Sequence, residues 1–216
     1  MRVEIWSDVV CPWCYIGKRR FEQALAGFEG REDVELVFRP FQLDPTAPSG
    51  STMPVMEAYA RKFGGEERAQ EIIAHVTEVA AADGLDFHLE RAQRANTRDA
   101  HRLLALAERE HGLAVQGALK EALLRAYFVD GRNVADHDTL VDVAVGVGID
   151  GGRAASMLAS EEGSHELNAE LDEARELGVA AVPTFVFGGR WAVPGAQDPE
   201  MLLRALRRTA ELEEAG

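Results

Sequence analysis

No proline occurs between Pro54 and Pro183 in this chain, although four of its eight prolines crowd into the short stretch from Pro40 to Pro54. Proline removes a helical hydrogen bond and clashes with the turn before it, so a long proline-free span rich in Ala, Leu, Glu and Arg is free to be helical. Apolar residues recur at helical spacing from Val55 to Val182, in intervals that suggest a small bundle rather than one rod. Asn96 is placed to cap a helix that Gly112 ends, and further helical patterns run near 114–128, 140–147, 153–159 and 164–177. The Gly151-Gly152 pair and Glu161-Glu162 read as interhelical loops, and the Glu-rich carboxy terminus as a solvated, fraying end.

Outside this block the hydrophobic period changes from 3.6 to 2. Val3-Glu4-Ile5-Trp6 and Val34-Glu35-Leu36-Val37-Phe38 predict strands, joined through a helix over about 15–28 into a βαβ unit. The stretch 41–54 is a linker leaving the second strand. After Pro183, Thr184-Phe185-Val186-Phe187 and Arg190-Trp191-Ala192-Val193 flank Gly188-Gly189, a pair suited to the positive φ angles of a tight hairpin. Asp198 and Pro199 then open a last helix with Leu202, Ala205, Leu206 and Thr209 along one side. The prediction is an α/β fold with 1–50 and 176–216 forming one discontinuous domain around an inserted helical domain, 51–175.

Charge narrows the partners. Lys and Arg number 23 against 37 Asp and Glu, a net charge of −14, which repels phosphate backbones and anionic lipid, so no nucleic-acid or membrane partner is expected. The longest apolar runs, such as Val9 to Ile16, fall far short of the about 20 residues that span a bilayer. The amino terminus begins directly with strand-like alternation instead of a secretory signal, which points to the cytoplasm.

The two cysteines, Cys11 and Cys14, follow the first strand as Cys-Pro-Trp-Cys. A structural disulfide there would close so short a loop that it stabilises by roughly 1.9 kcal/mol, and a reducing cytoplasm would leave it unformed. A zinc site needs four ligands, whereas His75, His88, His101, His111, His137 and His165 are scattered singly with no second C-x-x-C, so no metal is expected. The third reading is a redox dithiol. At a helix amino terminus the unpaired N–H groups and the positive dipole end stabilise a thiolate at Cys11, and Cys14, one turn on, is placed to displace a substrate from it. Pro12 suits the first helical position, and Trp13 offers either a contact surface or a ring folded on the core. Glu4 and Asp8 are candidate proton acceptors for the buried thiol, or simply solvated carboxylates. His101 reads as a core or boundary residue. Lys18-Arg19-Arg20 reads as a helix surface that could add to thiolate stabilisation.

Trp6-Ser7-Asp8 before Cys11-Pro12-Trp13-Cys14-Tyr15-Ile16-Gly17, Asn96-Thr97 before Ala100-His101-Arg102-Leu103, and Gly178-Val179-Ala180-Ala181-Val182-Pro183-Thr184-Phe185 together resemble the DsbA-like thioredoxin superfamily, its FrnE-like branch in particular. The resemblance implies a thioredoxin fold interrupted by helices. It further implies a redox-active dithiol with Cys11 as nucleophile and Cys14 as resolving thiol, and a cis peptide before Pro183. Val182 would be the residue whose backbone pairs with bound peptide, with Pro12, Trp13 and Thr184 beside it. No cofactor is implied beyond the dithiol, with glutathione as a candidate co-substrate and a thiol reductant for recycling. Two departures stand out. Periplasmic relatives have histidine inside the motif where Trp13 stands, and a second cysteine pair known in some FrnE-like proteins is absent. Related 2-hydroxychromene-2-carboxylate isomerases and kappa-type glutathione transferases offer a rival, glutathione-dependent chemistry, although they usually keep serine near the position of Cys11. A redox-independent chaperone or polyketide-pathway binding protein, using the apolar surface around Trp13 and Trp191, is the non-enzymatic alternative.

Overall fold

Alternating side chains let one short strand face two ways, and the first strand uses both faces. In the computed structural model, which describes residues 1–50 and 53–214, β1 (Arg2–Ser7) sends Val3 and Ile5 to one side of the sheet and Trp6 to the other, all three buried. β2 (Glu35–Pro40) pairs parallel to β1, β3 (Thr184–Phe187) pairs antiparallel to β1, and β4 (Trp191–Pro194) pairs antiparallel to β3. The sheet order is β2-β1-β3-β4. Gly188 and Gly189 make the β3–β4 turn with φ of 56° and 65°, a conformation that glycine adopts without steric penalty.

One sheet face is covered by α1 (Pro12–Ala26) and α9 (Pro199–Glu214). Val3, Ile5, Phe21, Phe185, Phe187, Leu202 and Leu206 form the core between them, with the Phe21 ring stacked on Phe185 at 5.6 Å. Each such ring adds about 1.5–3 kcal/mol by leaving water. Between β2 and β3 the chain builds α2 (Val55–Phe63), α3 (Glu66–Ala82), α4 (Arg98–His111), α5 (Leu113–Phe128), α6 (His137–Gly146), α7 (Gly151–Leu158) and α8 (Ser164–Glu176). These helices enclose a second core, centred on Leu103, Leu119, Leu123, Phe128 and Leu140, which also takes in Val9, Tyr15 and Ile16 from around the cysteine motif. The motif therefore lies between two cores, in the interrupted thioredoxin fold that the resemblance implies.

Several local expectations are corrected. α1 begins at Pro12, directly after Cys11, rather than near Tyr15. Gly151-Gly152 is the start of α7 and no loop, because the Asp150 carboxylate accepts the Arg153 N–H at 2.7 Å and caps the turn. The first residue outside α4 is Thr97; Asn96, one position earlier, still accepts the Arg98 N–H at 2.9 Å and donates to the Ala47 carbonyl. The Glu-rich end is helical through Glu214. Ser51 and Thr52 of the linker, and the last two residues of 176–216, lie outside the described residues.

Candidate active site

β1 ends at Ser7, and four residues later Cys11 occupies the cap position of α1 in extended backbone geometry, with Pro12 opening the helix. No side chain caps this first turn. Cys11 therefore stands at the positive end of the α1 dipole, with its own carbonyl accepting the Cys14 N–H at 3.0 Å. The Cys11 thiol donates to the Val182 carbonyl at 3.7 Å, across the Val182–Pro183 peptide, which is cis. Gly17 lets α1 approach this loop: a Cβ at that position would stand 2.8 Å from Pro183 Cγ. Thr184 turns inward, its hydroxyl donating to the Ala181 carbonyl at 2.7 Å, so it fixes the 181–184 loop rather than facing solvent.

Both cysteines are free thiols. They share a small apolar cluster with Trp6, Ala174 and Val182. Burial pushes the Cys14 thiol well up, and the hydrogen bond and charge of Cys11 push it further, while Lys120 and the Asp8 backbone pull it down. At neutral pH Cys14 is thus a thiol, held behind Cys11.

The two candidate proton acceptors part company. Glu4 is engaged by Arg39 at 2.8 Å and Arg2 at 3.5 Å, and Arg39 continues to Glu170 at 2.6 Å, so its carboxylate belongs to an ion-pair network across β1, β2 and α8. Asp8 is no solvated strand-edge carboxylate: it is fully buried, accepts the Val9 and Leu43 N–H groups at 2.8 Å each, and meets His101 Nε2 at 3.1 Å. His101 is correspondingly buried and also reaches the Phe41 carbonyl at 3.0 Å. This cluster ties the loop before Cys11 to the start of the linker and to α4.

The basic run after the motif is likewise no exposed surface. Lys18 is buried and bound by Glu22 and Glu121 at 2.5 Å each, while Arg20 pairs with Asp83, just past the end of α3, at 2.8 Å. The cation that does come in behind the cysteines is Lys120 of α5, 1% exposed, its Nζ without a hydrogen-bond partner among the described residues. Sequence inspection passed over it, although Gln116 and Lys120 interrupt, one turn apart, the otherwise apolar face of Leu119, Leu123, Leu124 and Tyr127.

Outside the sulfurs opens a groove of about 1100 Å³ whose lining includes Cys11, Trp13, Tyr59, His75, Arg94 and Val182. Cys11 is itself only 3% exposed, but what shows forms part of this lining. Trp13 is 36% exposed with its ring 6.2 Å from that of His75, so it borders the groove rather than folding into the core. Tyr59, unmarked in the sequence, is raised to about 12 by burial and by the Cys11 charge, and remains a neutral hydroxyl beside the sulfur. Trp191 is exposed on β4 and does not line this groove, so the two tryptophans make no common surface within it. Among the described residues no group of three or more His, Cys, Asp or Glu side chains stands where it could hold a metal, and no helix is long and apolar enough to cross a membrane.

Comparison with known proteins agrees with this geometry. A crystal structure described as a probable DsbA oxidoreductase from Streptomyces coelicolor is 40% identical, covers 98% of this chain and 90% of its own, and superposes with a TM-score of 0.90. The uncharacterized protein YwbO of Bacillus subtilis is 28% identical over 95% of this chain and 96% of its own. The cytosolic disulfide reductase DsbM of Pseudomonas aeruginosa, solved with GSH, shares the fold at 19% identity and a TM-score of 0.62, covering 100% of this chain and 98% of its own. Residues 2–207 match the DSBA-like thioredoxin domain, and the chain belongs to that family.

Proposed function

We propose that this protein catalyses thiol–disulfide exchange, with Cys11 as nucleophile and Cys14 as resolving thiol. The observation that carries the proposal is the placement of the Cys11 sulfur at an uncapped helix amino terminus in the wall of a large groove, with Cys14 buried one turn behind it. The Cys11 thiolate attacks one sulfur of a substrate disulfide, and the other sulfur leaves with the electron pair of the broken bond. Cys14 then attacks Cys11, closing the Cys11–Cys14 disulfide and releasing the second substrate thiolate. The Val182 backbone offers a bound peptide an edge to pair with, Pro12 and Trp13 frame it, and Thr184 holds the loop that presents it. The groove suits either a polypeptide loop or a small disulfide.

The direction follows from redox poise. A potential near −120 mV would lie about 130 mV above a cytosolic poise near −250 mV, roughly 6 kcal/mol toward the dithiol, and one near −270 mV would leave the two forms mixed. At the first value such an enzyme rests reduced in the cytoplasm and at the second both forms coexist, so it acts as a reductase or isomerase and not as an oxidant of new disulfides. A small thiol returns it to the dithiol, and glutathione is supported by the DsbM structure of the same fold with GSH; of the cations lining the groove, Arg61, Arg68 and Arg94 are already paired with Glu57, Glu71 and Asp44. Retention of both sulfurs argues against the isomerase and transferase chemistry of the serine-bearing relatives.

Insulin reduction with dithiothreitol tests the proposal. The wild type accelerates precipitation of the insulin B chain, Cys11→Ser does not, and Cys14→Ser accumulates a mixed disulfide through Cys11. Equal rates for wild type and Cys11→Ser refute it.

A further inference from the structure

Cys14 must lose its proton before it can attack, yet it is buried and its thiol is held high. The carboxylates nearby are committed: Asp8 to two backbone N–H groups and His101, Glu121 to Lys18, and Glu4 to Arg39. Lys120 is not. Its Nζ stands 5.7 Å from the centroid of the Phe38 ring with no hydrogen-bond partner among the described residues. A fully buried lysine without a carboxylate partner is rare, because the desolvated charge is uncompensated.

The charged and titratable groups around it are few. From α1 they are Cys14 and Lys18, from its cap position Cys11, and from the loop after β1, Asp8. From α4, His101 binds Asp8 and Glu108 accepts from Gln116, the residue one turn before Lys120. From β2 the neighbour is the Phe38 ring.

We infer that Lys120 is the group that takes up the Cys14 proton when Cys14 attacks the mixed disulfide on Cys11. The inference rests on the exchange chemistry proposed above. The Cys14 sulfur donates its electron pair to form the Cys11–Cys14 bond, the bond from Cys11 to the substrate sulfur breaks, and the substrate leaves as a thiolate that is protonated by solvent. The Cys14 proton stays on Lys120 as ammonium and is then released. Burial lowers the Lys120 amine to about 8 against the charges of Cys14, Asp8 and Cys11. The pair therefore gives up one of its two protons just above neutral pH, and the proton that remains can sit on nitrogen and leave sulfur as thiolate.

The experiment is single-turnover reduction of a peptide disulfide by the full-length protein from pH 6 to 9.5. Acid quenching and mass spectrometry separate the mixed disulfide from the internal Cys11–Cys14 bond. In the wild type, resolution rises with pH along a limb near 8. In Lys120→Met the mixed disulfide persists, resolution at pH 7 slows by tenfold or more, and the limb moves upward to the unassisted thiol. Lys120→Gln behaves alike and supplies a second neutral variant. Attack by Cys11, measured in the Cys14→Ser background with and without Lys120→Met, changes by less than about threefold. Lys120→Arg keeps the charge but has no proton to exchange in this range. A wild-type rate and limb in both neutral variants, or recovery of both by Lys120→Arg, overturns the inference. Failure of the Cys14→Ser protein to form any mixed disulfide is a different result, and it refutes the exchange chemistry itself.

Discussion

Gly17 is where the helix carrying the cysteines touches the proline loop that faces them, and adding one methyl group there tests how tightly the site is built. A Cβ on Gly17 would meet Pro183 Cγ at 2.8 Å, Phe185 Cζ at 3.4 Å and the Ala196 Cα at 3.5 Å. Ordinary contact begins near 3.4 Å, so Pro183 or α1 must retreat by about 0.6 Å. The proline ring is closed and braced by its neighbours, so the retreat is resisted. Overpacking a tight core costs about 1–3 kcal/mol, and alanine returns up to about 1 kcal/mol over glycine in a helix interior. Gly17→Ala should therefore be destabilised by roughly 0–2 kcal/mol. For a chain of this size that lowers Tm by up to about 8 °C, at about 2–4 °C per kcal/mol. The same displacement separates Cys11 from the Val182 carbonyl, now 3.7 Å away. A misplacement of about 1 Å can lower a rate about 100-fold, so about tenfold in insulin-reduction rate is expected. Gly117, in α5, supplies the control: a Cβ there meets nothing within 4 Å, and Gly117→Ala should stabilise by about 0.5–1 kcal/mol with no loss of rate. A Gly17→Ala protein that melts above the wild type and reduces insulin at the wild-type rate would show that Pro183 yields freely, and the argument for a fixed sulfur-to-proline contact would fail.

Other expectations are as direct. Asp8→Ala leaves two backbone N–H groups without their acceptor, while His101 keeps the Phe41 carbonyl, at about 1–3 kcal/mol for each orphaned group; urea denaturation should show a loss of about 2–5 kcal/mol, and a loss below about 1 kcal/mol contradicts the assigned network. Glu121 is held below the usual carboxylate range: burial opposes this, but the charge and hydrogen bond of Lys18, with Tyr15 and Arg19, outweigh it. Because the folded-state value is depressed, its contribution is present above about pH 4.3, the unfolded value, and fades as pH falls further. The Tm difference between wild type and Glu121→Gln should accordingly be largest at neutral pH and vanish in acid; a difference independent of pH would disprove the pairing. Trp13→Ala removes an exposed ring from the border of the groove, so KM for a peptide disulfide should rise severalfold with kcat nearly unchanged, and an unaltered KM would place substrate elsewhere.

The periodic parts of the chain were legible because a single strand or helix carries its own pattern. The hairpin at Gly188-Gly189 and the helices after Asn96 and Ser164 could be read from spacing and punctuation alone. What escaped were contacts between residues far apart in sequence whose side chains look ordinary in isolation. Lys18-Arg19-Arg20 has the composition of a solvated helix face, and only the arrival of Glu121 from α5 and of Asp83 from just past α3 buries Lys18 and half-buries the two arginines. Asp8 resembles any carboxylate at the end of a strand until His101 and the Leu43 N–H close over it. The glycine pair at 151–152 suggested a loop because glycine weakens helices, and a cap from Asp150 was enough to reverse that preference.

α5 shows what the missed signal was worth. Gln116 and Lys120 lie one turn apart on a buried stripe where leucine would pack as well, and each does something leucine could not. Gln116 accepts the Phe38 N–H at 3.0 Å and donates to the Phe38 carbonyl at 3.1 Å, so it satisfies backbone groups on β2, one of the two edge strands of the sheet among the described residues. An open edge exposes unpaired donors and acceptors to other chains, and here the helical insertion covers part of it. Lys120, on the same face and over the Phe38 ring, acts electrostatically on Cys14, its charge lowering the thiol that burial raises. The insertion is thus fastened to the sheet by the helix that also brings a cation to the dithiol. It follows that Gln116→Leu, which should leave the groove intact, ought to loosen the register of α5 against β2 and raise hydrogen exchange at the Phe38 amide. If Lys120 acts on Cys14 as inferred, that loosening should also slow the resolving step more than the attack by Cys11. A variant with faster exchange at Phe38 but an unchanged ratio of the two rates would show that the edge contact and the sulfur chemistry are independent.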